Sequence, residues 1–333
     1  MRFGLPYQGS KSSIAKDIVA ILPGGNRLVD LFCGGCSVTD YAMKNTDKFK
    51  RFLINDIDGR NAKTYIRALS GGFLNEDRWI SRQDFFKLKE TDDYVRLCFS
   101  FGNSGKTYMY GPQLEPYKRA IHHIVFWEDY APMEELCPAV VKTIHDYCDG
   151  KDRKGRRQAL GKAVVAHVKA MGSVEYWQSN PMFRAVKVKW SEDRRGISSS
   201  QLNRGSPLQS LERLQSLQSL QSLESLERLE RLERQNVQIV ASADDYRNYV
   251  YQDGDVVYCD PPYANTYKYT VDFDNEGFWQ WCRTRNFPVY ISEYRAPEDF
   301  ISVWSKEKRR LFNSSNMSAN AVEHLFLHKK WLA

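Results

Sequence analysis

The sequence predicts an α/β fold in which a doubly wound sheet of seven strands carries an inserted domain. Three observations lead to this prediction. A strand near residue 27 is followed by a glycine-rich turn and a helix, and a second apolar strand covers residues 255–259. The stretch between Asp56 and Asp245 is too long for a connection, so it must hold a domain of its own.

Seven apolar segments fit the strands of this sheet, and they begin near residues 27, 51, 237, 255, 287, 309 and 323. In the last part of the chain we expect a helix over residues 277–284, a strand over residues 287–292 and a short helix over residues 297–304. Strands follow over residues 309–312 and 322–327, and these last two can form an antiparallel hairpin.

Composition restricts the class of protein without deciding it. A chain of 333 residues is long enough for one large or two ordinary domains with an ample core. The formal net charge of +7 suits a polyanionic partner, although many proteins without one are as basic. No apolar run approaches the roughly 20 residues that span a bilayer, and we identify no signal peptide. We therefore expect a soluble, cytoplasmic protein without a membrane partner.

Seven cysteines, an odd number, indicate a reducing compartment. Cys33 and Cys36 form a C-x-x-C pair, and zinc would need a second pair of this kind. The other candidates, Cys137, Cys148 and His145, are too irregularly spaced to supply it. We expect no metal, and we interpret the pair as part of a packed turn rather than as a redox centre.

The first strand and the turn after it predict a ligand site. Residues 27–32 read as a strand, residues 33–37 (Cys-Gly-Gly-Cys-Ser) as a turn, and Val38 as the start of a helix. Such a turn offers free backbone amides and lets a ligand approach closely. The dinucleotide pattern G-x-G-x-x-G is absent, but Asp56 ends the second strand, where an acidic residue binds ribose hydroxyls. This arrangement predicts a nucleoside cofactor.

A second site is predicted where the strand over residues 255–259 runs into Asp260-Pro261-Pro262-Tyr263. Two prolines fix the backbone and remove donors, so that carbonyls point outward from a stiff loop. A carboxylate, an outward carbonyl and a flat ring could together hold the exocyclic amino group of a planar base. The alternative interpretation is an ordinary turn that leaves an edge strand.

Four motifs in this order resemble the α-group DNA adenine-N6 methyltransferases, the Dam-like family. They are Y-x-G-x-K at residues 7–11, D-x-F-x-G at residues 30–34, the acidic residue that ends the second strand, and D-P-P-Y at residues 260–263. The resemblance covers residues 5–60 and 236–328, and residues 99–110 are more loosely similar to that family's DNA-reading loop. It implies a Rossmann-like methyltransferase sheet, S-adenosylmethionine as cofactor and double-stranded DNA as partner.

Carried over position by position, the resemblance implies that the cofactor-binding residues are Tyr7, Lys11, Asp30, Phe32, Gly34, Asp56, Asp245 and Asp260. Asp30, Phe32 and Gly34 would shape the pocket for the methionine end of the cofactor. Asp56 would hold the ribose, Asp245 would lie near the cofactor's adenine, and Lys11 would also steady the active-site loop. The chain departs from the family at Cys36, where glycine is usual. A positive φ at this cysteine would cost about 1 kcal/mol.

The resemblance also implies that the catalytic residues, which hold the target adenine, are Asp260, Pro261, Pro262 and Tyr263. The N6 lone pair is delocalised into the ring, so accepting hydrogen bonds from the amino group would favour attack. Transfer is then an in-line displacement without covalent intermediate or metal. The base must leave the duplex, and Tyr263 offers a face on which it can stack. Cytosine-C5 chemistry would need a cysteine nucleophile, and Cys259 is expected to point away from the site.

These motifs predict three parts of the chain. Residues 1–60 and 236–333 form the cofactor-binding catalytic domain, and residues 61–205 form the target recognition domain. Residues 206–235 form a separate segment with leucine at every third position from Leu208 to Leu232. Since each step of three turns an α-helix by about 300°, these leucines wind around its surface. We interpret the segment as a helical spacer of low complexity, with self-association through the leucines as an alternative.

Two segments of the recognition domain are candidates for DNA contact. The first contains Asn103, Lys106, Tyr108 and Tyr110. Its mixture of polar, cationic and aromatic side chains suits contact with base edges, and a β-hairpin with a solvated tip is the alternative. The second contains Lys154 and Arg156, which would bind phosphates from a basic loop before a helix over residues 158–171. A solvated surface is the alternative here.

The predicted function is a site-specific DNA methyltransferase that transfers a methyl group from S-adenosylmethionine to adenine N6 of a flipped base. Its biological context, restriction–modification or another, is left open. The same fold acting on cytosine N4 or on RNA is one alternative, and Asp rather than Ser at position 260 favours adenine as the base by resemblance. The other is a catalytically silent DNA-binding protein, which the intact motif residues disfavour.

Overall fold

The structure is a computed structural model that describes residues 2–171, 221–233, 238–263, 273–309 and 320–332. The chain forms two compact units. Unit 1 comprises Met1–Leu74 and Arg228–Ala333, and unit 2 comprises Asn75–Glu227. The motifs suggest boundaries at residues 60 and 236. The chain leaves unit 1 after Leu74 and returns to it at Arg228.

The described residues form eleven α-helices and seven strands. The helices are α1 (Ala15–Ile21), α2 (Ser37–Asn45), α3 (Arg60–Leu69), α4 (Arg82–Leu88), α5 (Asp93–Cys98), α6 (Glu115–Trp127), α7 (Ala131–Leu136), α8 (Pro138–Cys148), α9 (Arg153–Met171), α10 (Gln221–Glu230) and α11 (Asn275–Thr284). The strands are β1 (Arg27–Asp30), β2 (Arg51–Asn55), β3 (Ile239–Ser242), β4 (Asp255–Cys259), β5 (Val289–Glu293), β6 (Phe300–Arg309) and β7 (Asn320–His328). Short 3₁₀ turns cover Lys11–Ser13, Phe101–Asn103, Tyr246–Asn248 and Lys329–Trp331.

All seven strands join one sheet in the order β3-β2-β1-β4-β5-β7-β6. The first five strands of this order pair in parallel, whereas β7 is antiparallel to β5 and β6. The chain builds outward on one side of β1 and then on the other, so the order reverses between β1 and β4. Open α/β sheets bind ligands at such a switch point, outside the carboxyl ends of the strands. The predicted seven-stranded α/β fold is confirmed, and its last two strands pair antiparallel as expected. The strand expected over residues 309–312 was misplaced, because β6 covers Phe300–Arg309, and residues 310–312 lie outside the described part of the chain.

Apolar clusters pack on the two faces of the sheet. Val256 and Tyr258 of β4 pack in a cluster with residues of α1 and α2, whereas Val257 and Cys259 pack in a cluster with residues of α11. Successive side chains of a strand point to opposite faces, and every residue of β4 is buried. Burial raises the pKa of the Cys259 thiol well above its ordinary value, so this cysteine is a packed, neutral side chain.

The short helix expected over residues 297–304 is wrong, because β6 begins at Phe300. The register of β6 with β7 runs from Phe300 opposite His328 to Arg309 opposite Asn320. Branched and aromatic side chains near its start favour the extended conformation, and the ladder with β7 satisfies the backbone. A short apolar pattern does not reveal the partner strand, which decides the outcome here.

The amino-terminal segment of unit 1 lies across the turn between β1 and α2. The Leu5 N–H donates to Gly35 O at 2.7 Å, and the Gly4 N–H donates to the buried Asp40 carboxylate at 2.9 Å. The two backbones are so close that a Cβ on Gly4 would lie 2.1 Å from Gly35 O. This packing fixes the segment with the first motif against the glycine-rich turn.

The leucine repeat is helical where it is described, over α10, while residues 206–220 lie outside the described part of the chain. The buried residues of the described part, which wind around the helix as predicted, are Ser222, Leu223, Ser225, Leu226, Arg228, Leu229 and Leu232. This part of the repeat therefore packs as core.

Arg228, near the end of α10, holds the amino-terminal segment. Its guanidinium donates to Gly4 O at 2.6 Å, to Phe3 O, and to Ser10 Oγ at 3.4 Å. Burial lowers the pKa of Arg228 to about 10, which leaves it charged at neutral pH. A repeat without an evident function in the sequence thus contains a residue that holds the amino-terminal segment in place.

Cys36, the departure from the family pattern, precedes α2 with φ 55° and ψ 31°, in the left-handed region. Its thiol is hydrogen-bonded to the Cys33 thiol, and this contact and burial raise the pKa of Cys33 well above its ordinary value. Burial also raises the pKa of the Cys36 thiol. Both cysteines are neutral, buried side chains, as expected for packing residues of the turn.

We predict that Cys36→Gly is more stable than Cys36→Ala by about 1 kcal/mol, because alanine keeps the strained left-handed backbone and glycine does not. Both variants remove the thiol, so each is the control for the other. Urea unfolding without cofactor measures the difference. Equal stabilities, or a more stable alanine variant, would show that the turn is not strained at this position.

Candidate active site

Three acidic residues lie at, or directly after, the carboxyl ends of three neighbouring strands, at one edge of the sheet. Asp30 is the last residue of β1, Asp56 follows β2, and Asp260 follows β4. The register places Asp30 beside Ile54 of β2 and beside Tyr258 of β4. Because the carboxyl ends of parallel strands meet at one edge, residues far apart in sequence come together there.

Lys11 forms the centre of a buried charged cluster at this edge. Its Nζ lies 2.9 Å from Asp260 Oδ1 and 3.3 Å from Glu323 Oε1, and 4.3 Å from the centre of the Tyr263 ring. Burial lowers the pKa of Lys11, but the charges of the two carboxylates more than offset this and raise it above its ordinary value. The lysine is therefore a permanent ammonium.

The Asp260 carboxylate is the member of this cluster that is open to a ligand. Burial raises its pKa and Lys11 opposes the rise, so that the net direction is upward. Its side chain keeps 19% exposure, against 1% for Glu323. Pro261 is buried, and Pro262 and Tyr263 are partly exposed. The tetrapeptide therefore presents one carboxylate and the aromatic ring at the surface of unit 1.

Glu323 and Tyr294 complete the cluster, and neither was identified in the sequence. The Tyr263 hydroxyl donates to Glu323 Oε1. The Tyr294 ring, just after β5, meets the Tyr263 ring edge to face with centres 4.6 Å apart. The signal for Glu323 was a glutamate within the apolar strand over residues 322–327, since a buried strand rarely holds an acid without a partner.

Asp30 has an acceptor to offer a ligand. Its Oδ2 accepts a hydrogen bond from Thr39 Oγ1 at 2.9 Å, whereas its buried Oδ1 has no hydrogen-bond partner among the described residues. Burial raises the pKa of Asp30 to about 8. A buried, unpaired carboxylate oxygen is costly, and a cationic donor placed against it would remove that cost.

Asp56, which follows β2, is hydrogen-bonded to the glycine-rich turn after β1. Its Oδ2 accepts a hydrogen bond from the Gly34 N–H at 3.1 Å, and burial raises its pKa to about 6. Ile57 follows it with 61% of its surface exposed. Asn55, missed in the sequence, donates to Leu31 O at 3.0 Å and to Asp244 O at 2.9 Å. It ties the loop after β3 to the ends of β1 and β2.

Aromatic rings line this side of the sheet edge. Phe32 meets Tyr246 and Phe273 with ring centres 5.2 and 5.6 Å apart. A Cβ on Gly34 would lie 3.1 Å from the Tyr7 ring, so Tyr7 covers the turn. Asp245 caps the turn at Tyr246–Asn248 and pairs with Arg247 at 2.5 Å, and this partner lowers its pKa.

The loop over residues 99–110 presents fewer side chains than expected. Tyr108 and Tyr110 are buried, and their hydroxyls bond to Ile80 O at 2.8 Å and to Ser222 Oγ at 2.6 Å. These two tyrosines are therefore core residues of unit 2, and the prediction that they contact DNA needs correction. Lys106 is exposed. Asn103 is partly exposed, and its side-chain amide donates to Leu97 O at 2.7 Å and to Ser225 Oγ at 2.9 Å.

The basic segment near residue 154 is part of α9, which begins at Arg153, rather than a loop before it. Lys154 is exposed. Arg156 is buried and donates to Val125 O at 2.9 Å, to Lys151 O at 2.6 Å and to Glu128. Its prediction as a phosphate ligand needs correction, because the side chain of Arg156 is buried and these donors are already engaged by partners within unit 2.

None of the described helices has both the length and the apolar character needed to cross a membrane. In this part of the chain, no group of three or more His, Cys, Asp and Glu side chains is arranged to hold a metal ion.

Residues 7–110 match the family model of the D12 class N6 adenine-specific DNA methyltransferases. The match includes the first two motifs, the acidic residue after β2 and the loop over residues 99–110, and it ends before Asp260. No curated protein sequence matches the chain. The family match agrees with the α/β sheet and with the order of the motifs. Residues 7–110, less than half of the chain, are accordingly similar to the adenine-specific DNA methyltransferases of the D12 class.

Proposed function

We propose that the protein transfers a methyl group from S-adenosylmethionine to N6 of an adenine that is flipped out of double-stranded DNA. The observation that carries this proposal is the Lys11–Asp260 ion pair at 2.9 Å, with the Tyr263 ring beside it. It lies next to the edge of the sheet where Asp30 and Asp56 end their strands. One site thus offers acceptors for an amino group and a separate set of acceptors for a nucleoside.

The residues fit S-adenosylmethionine. The buried Oδ1 of Asp30, without a partner among the described residues, is suited to the ammonium group of the methionine end. Asp56 would accept hydrogen bonds from the ribose hydroxyls, and the exposed Ile57 would cover the apolar face of the adenine. When bound, the cofactor supplies an electrophilic methyl group on a sulfonium centre.

The target amino group would be held by acceptors of the tetrapeptide. The Asp260 carboxylate and the Pro261 carbonyl would accept its two N–H groups, which favours a nitrogen whose lone pair points at the methyl carbon. The Tyr263 ring would stack on the flipped base, and Tyr294 supports that ring. After transfer N6 is cationic, and the Asp260 carboxylate can accept the proton that it must lose.

Contacts with the DNA backbone are proposed for the exposed residues of unit 2. Lys106 and Lys154 carry exposed ammonium groups, which bind phosphates and make the affinity dependent on salt. Asn103 is the remaining candidate for a base edge, with a left-handed backbone of φ 55°. The net charge of +7 agrees with a polyanionic substrate.

Asp260→Asn should reduce single-turnover methyl transfer at least 100-fold while leaving DNA affinity nearly unchanged. The amide keeps the shape of the side chain but removes the negative charge beside N6, a loss comparable to that of a preorganised electrostatic partner. Rapid-quench transfer of labelled methyl and an electrophoretic mobility shift measure the two quantities. The control is Asp253→Asn, an exposed aspartate just before β4. A near-normal rate for Asp260→Asn would contradict the proposal.

Asp30 should give opposite pH dependences to folding and to cofactor binding. Its ordinary pKa near 3.9 is raised to about 8 by burial in the folded protein. Between these values the folded state holds a proton that the unfolded state lacks. Without cofactor, this residue therefore lowers stability as pH rises from about 4 to 8, by at most about 1.4 kcal/mol per pH unit. A bound ammonium needs the carboxylate, so cofactor affinity should rise over the same range.

Asp30→Asn is the variant that tests this, and Thr39 Oγ1 can still donate to its amide oxygen. We expect the variant to lose this part of the pH dependence of unfolding and to bind S-adenosylmethionine more weakly at pH 8. Urea unfolding and calorimetric titration at pH 5.5 and 8 are the measurements. Parallel pH dependences of unfolding in both proteins would contradict the role of Asp30.

A further inference from the structure

Glu323 is a buried acid in the middle of β7, with 1% of its side chain exposed. The pairing of β7 with β5 and β6 uses backbone groups and does not require a carboxylate here. Moving a charge out of water costs several kcal/mol unless it is paired. The sheet alone therefore does not account for a glutamate at this position.

Among the described residues, the ion pair and the side-chain hydrogen bond of Glu323 both belong to the candidate active site. Glu323 Oε1 lies 3.3 Å from Lys11 Nζ and accepts the hydroxyl of Tyr263. Glu323 Oε2 is buried and has no hydrogen-bond partner among the described residues. A carboxylate with only one oxygen satisfied is costly for stability, which points to a role in the reaction.

The charge balance of the cluster depends on this residue. Lys11 is one ammonium between two carboxylates, Asp260 and Glu323, so the three groups carry a net charge of −1. Without Glu323, Lys11 would neutralise Asp260 completely. Asp260 would then attract a positive charge at N6 less strongly and accept its N–H group more weakly.

We propose that Glu323 is a positioning residue for methyl transfer, which shares Lys11 with Asp260, orients Tyr263 through its hydroxyl and keeps the cluster negative beside the reacting nitrogen. This inference rests on the proposed function. In the step concerned, the N6–carbon bond forms and the carbon–sulfur bond breaks, with its electron pair left on sulfur. One proton then leaves N6 for the Asp260 carboxylate and passes to water. Positive charge thus moves from sulfur to N6, toward the negative cluster.

Glu323→Gln removes the charge and keeps an acceptor for Lys11 and for the Tyr263 hydroxyl. We expect its single-turnover rate of methyl transfer, at saturating S-adenosylmethionine and DNA, to fall about 10- to 100-fold. The dissociation constant of S-adenosylmethionine should stay within about twofold of wild type, and thermal stability should not fall. A merely structural role predicts the reverse, with a loss of stability and an unchanged rate.

Glu307→Gln is the matched control, since this exposed glutamate lies on the neighbouring strand β6 opposite Val322. Glu323→Asp keeps the charge with a shorter reach, and its rate should exceed that of the Gln variant by about fivefold or more. If Glu323→Gln does not fold, Glu323→Asp against Glu307→Asp replaces it. A reduced rate with unchanged cofactor affinity is then expected.

The outcomes separate this inference from the proposed function. Suppose that the wild-type protein methylates adenine and Asp260→Asn does not. The role of Glu323 alone is then overturned if the folded Glu323→Gln variant has the wild-type rate. It is also overturned if Glu323→Asp and Glu323→Gln have equal rates. If wild type transfers no methyl group to adenine in DNA, the proposed function is overturned, and the role of Glu323 in it falls as well.

Discussion

The site depends above all on the buried ion pair between Lys11 and Asp260. It joins the amino-terminal segment to the end of β4, and Glu323 adds a partner from β7 near the end of the chain. A buried charge without a partner is strongly destabilising, so the three segments hold each other in place. Arg228 fixes the same amino-terminal segment through backbone carbonyls at its start. The parallel sheet then brings Asp30 and Asp56 to the edge where Asp260 lies.

Burial raises the pKa of each of these acids, and their other partners differ. Asp30 is raised to a pKa of about 8 and Asp56 to about 6, so each is prepared to exchange a proton or a hydrogen bond with a ligand near neutral pH. Asp260 is kept beside a permanent ammonium, although its pKa is also raised by burial. Under the proposed function, burial at this edge of the sheet separates the acceptors for a cofactor, Asp30 and Asp56, from the acceptor for a target base, Asp260.

The sequence was sufficient for the seven-stranded sheet and for the four motifs, because each depends on a local pattern of apolar residues, glycine or proline. Partners that come from distant segments were not predictable. Glu323, Asn55 and Arg228 have roles only because β7, β2 and α10 lie where they do. Tyr108 and Tyr110 matched a surface loop by composition, yet they pack in the core of unit 2, since aromatic residues between glycines suit either place. The helix expected over residues 297–304 failed for a related reason, the pairing of β6 with β7.

The account is tested most directly by identifying the base that the wild-type protein methylates. Unmethylated genomic DNA is incubated with the protein and with S-adenosylmethionine that carries a labelled methyl group. The DNA is digested to nucleosides, the nucleosides are separated, and the modified positions are mapped. For an adenine-N6 methyltransferase, we expect the label in N6-methyladenine within one short sequence. Label in N4-methylcytosine, or no transfer by a protein that still binds the cofactor, would contradict it.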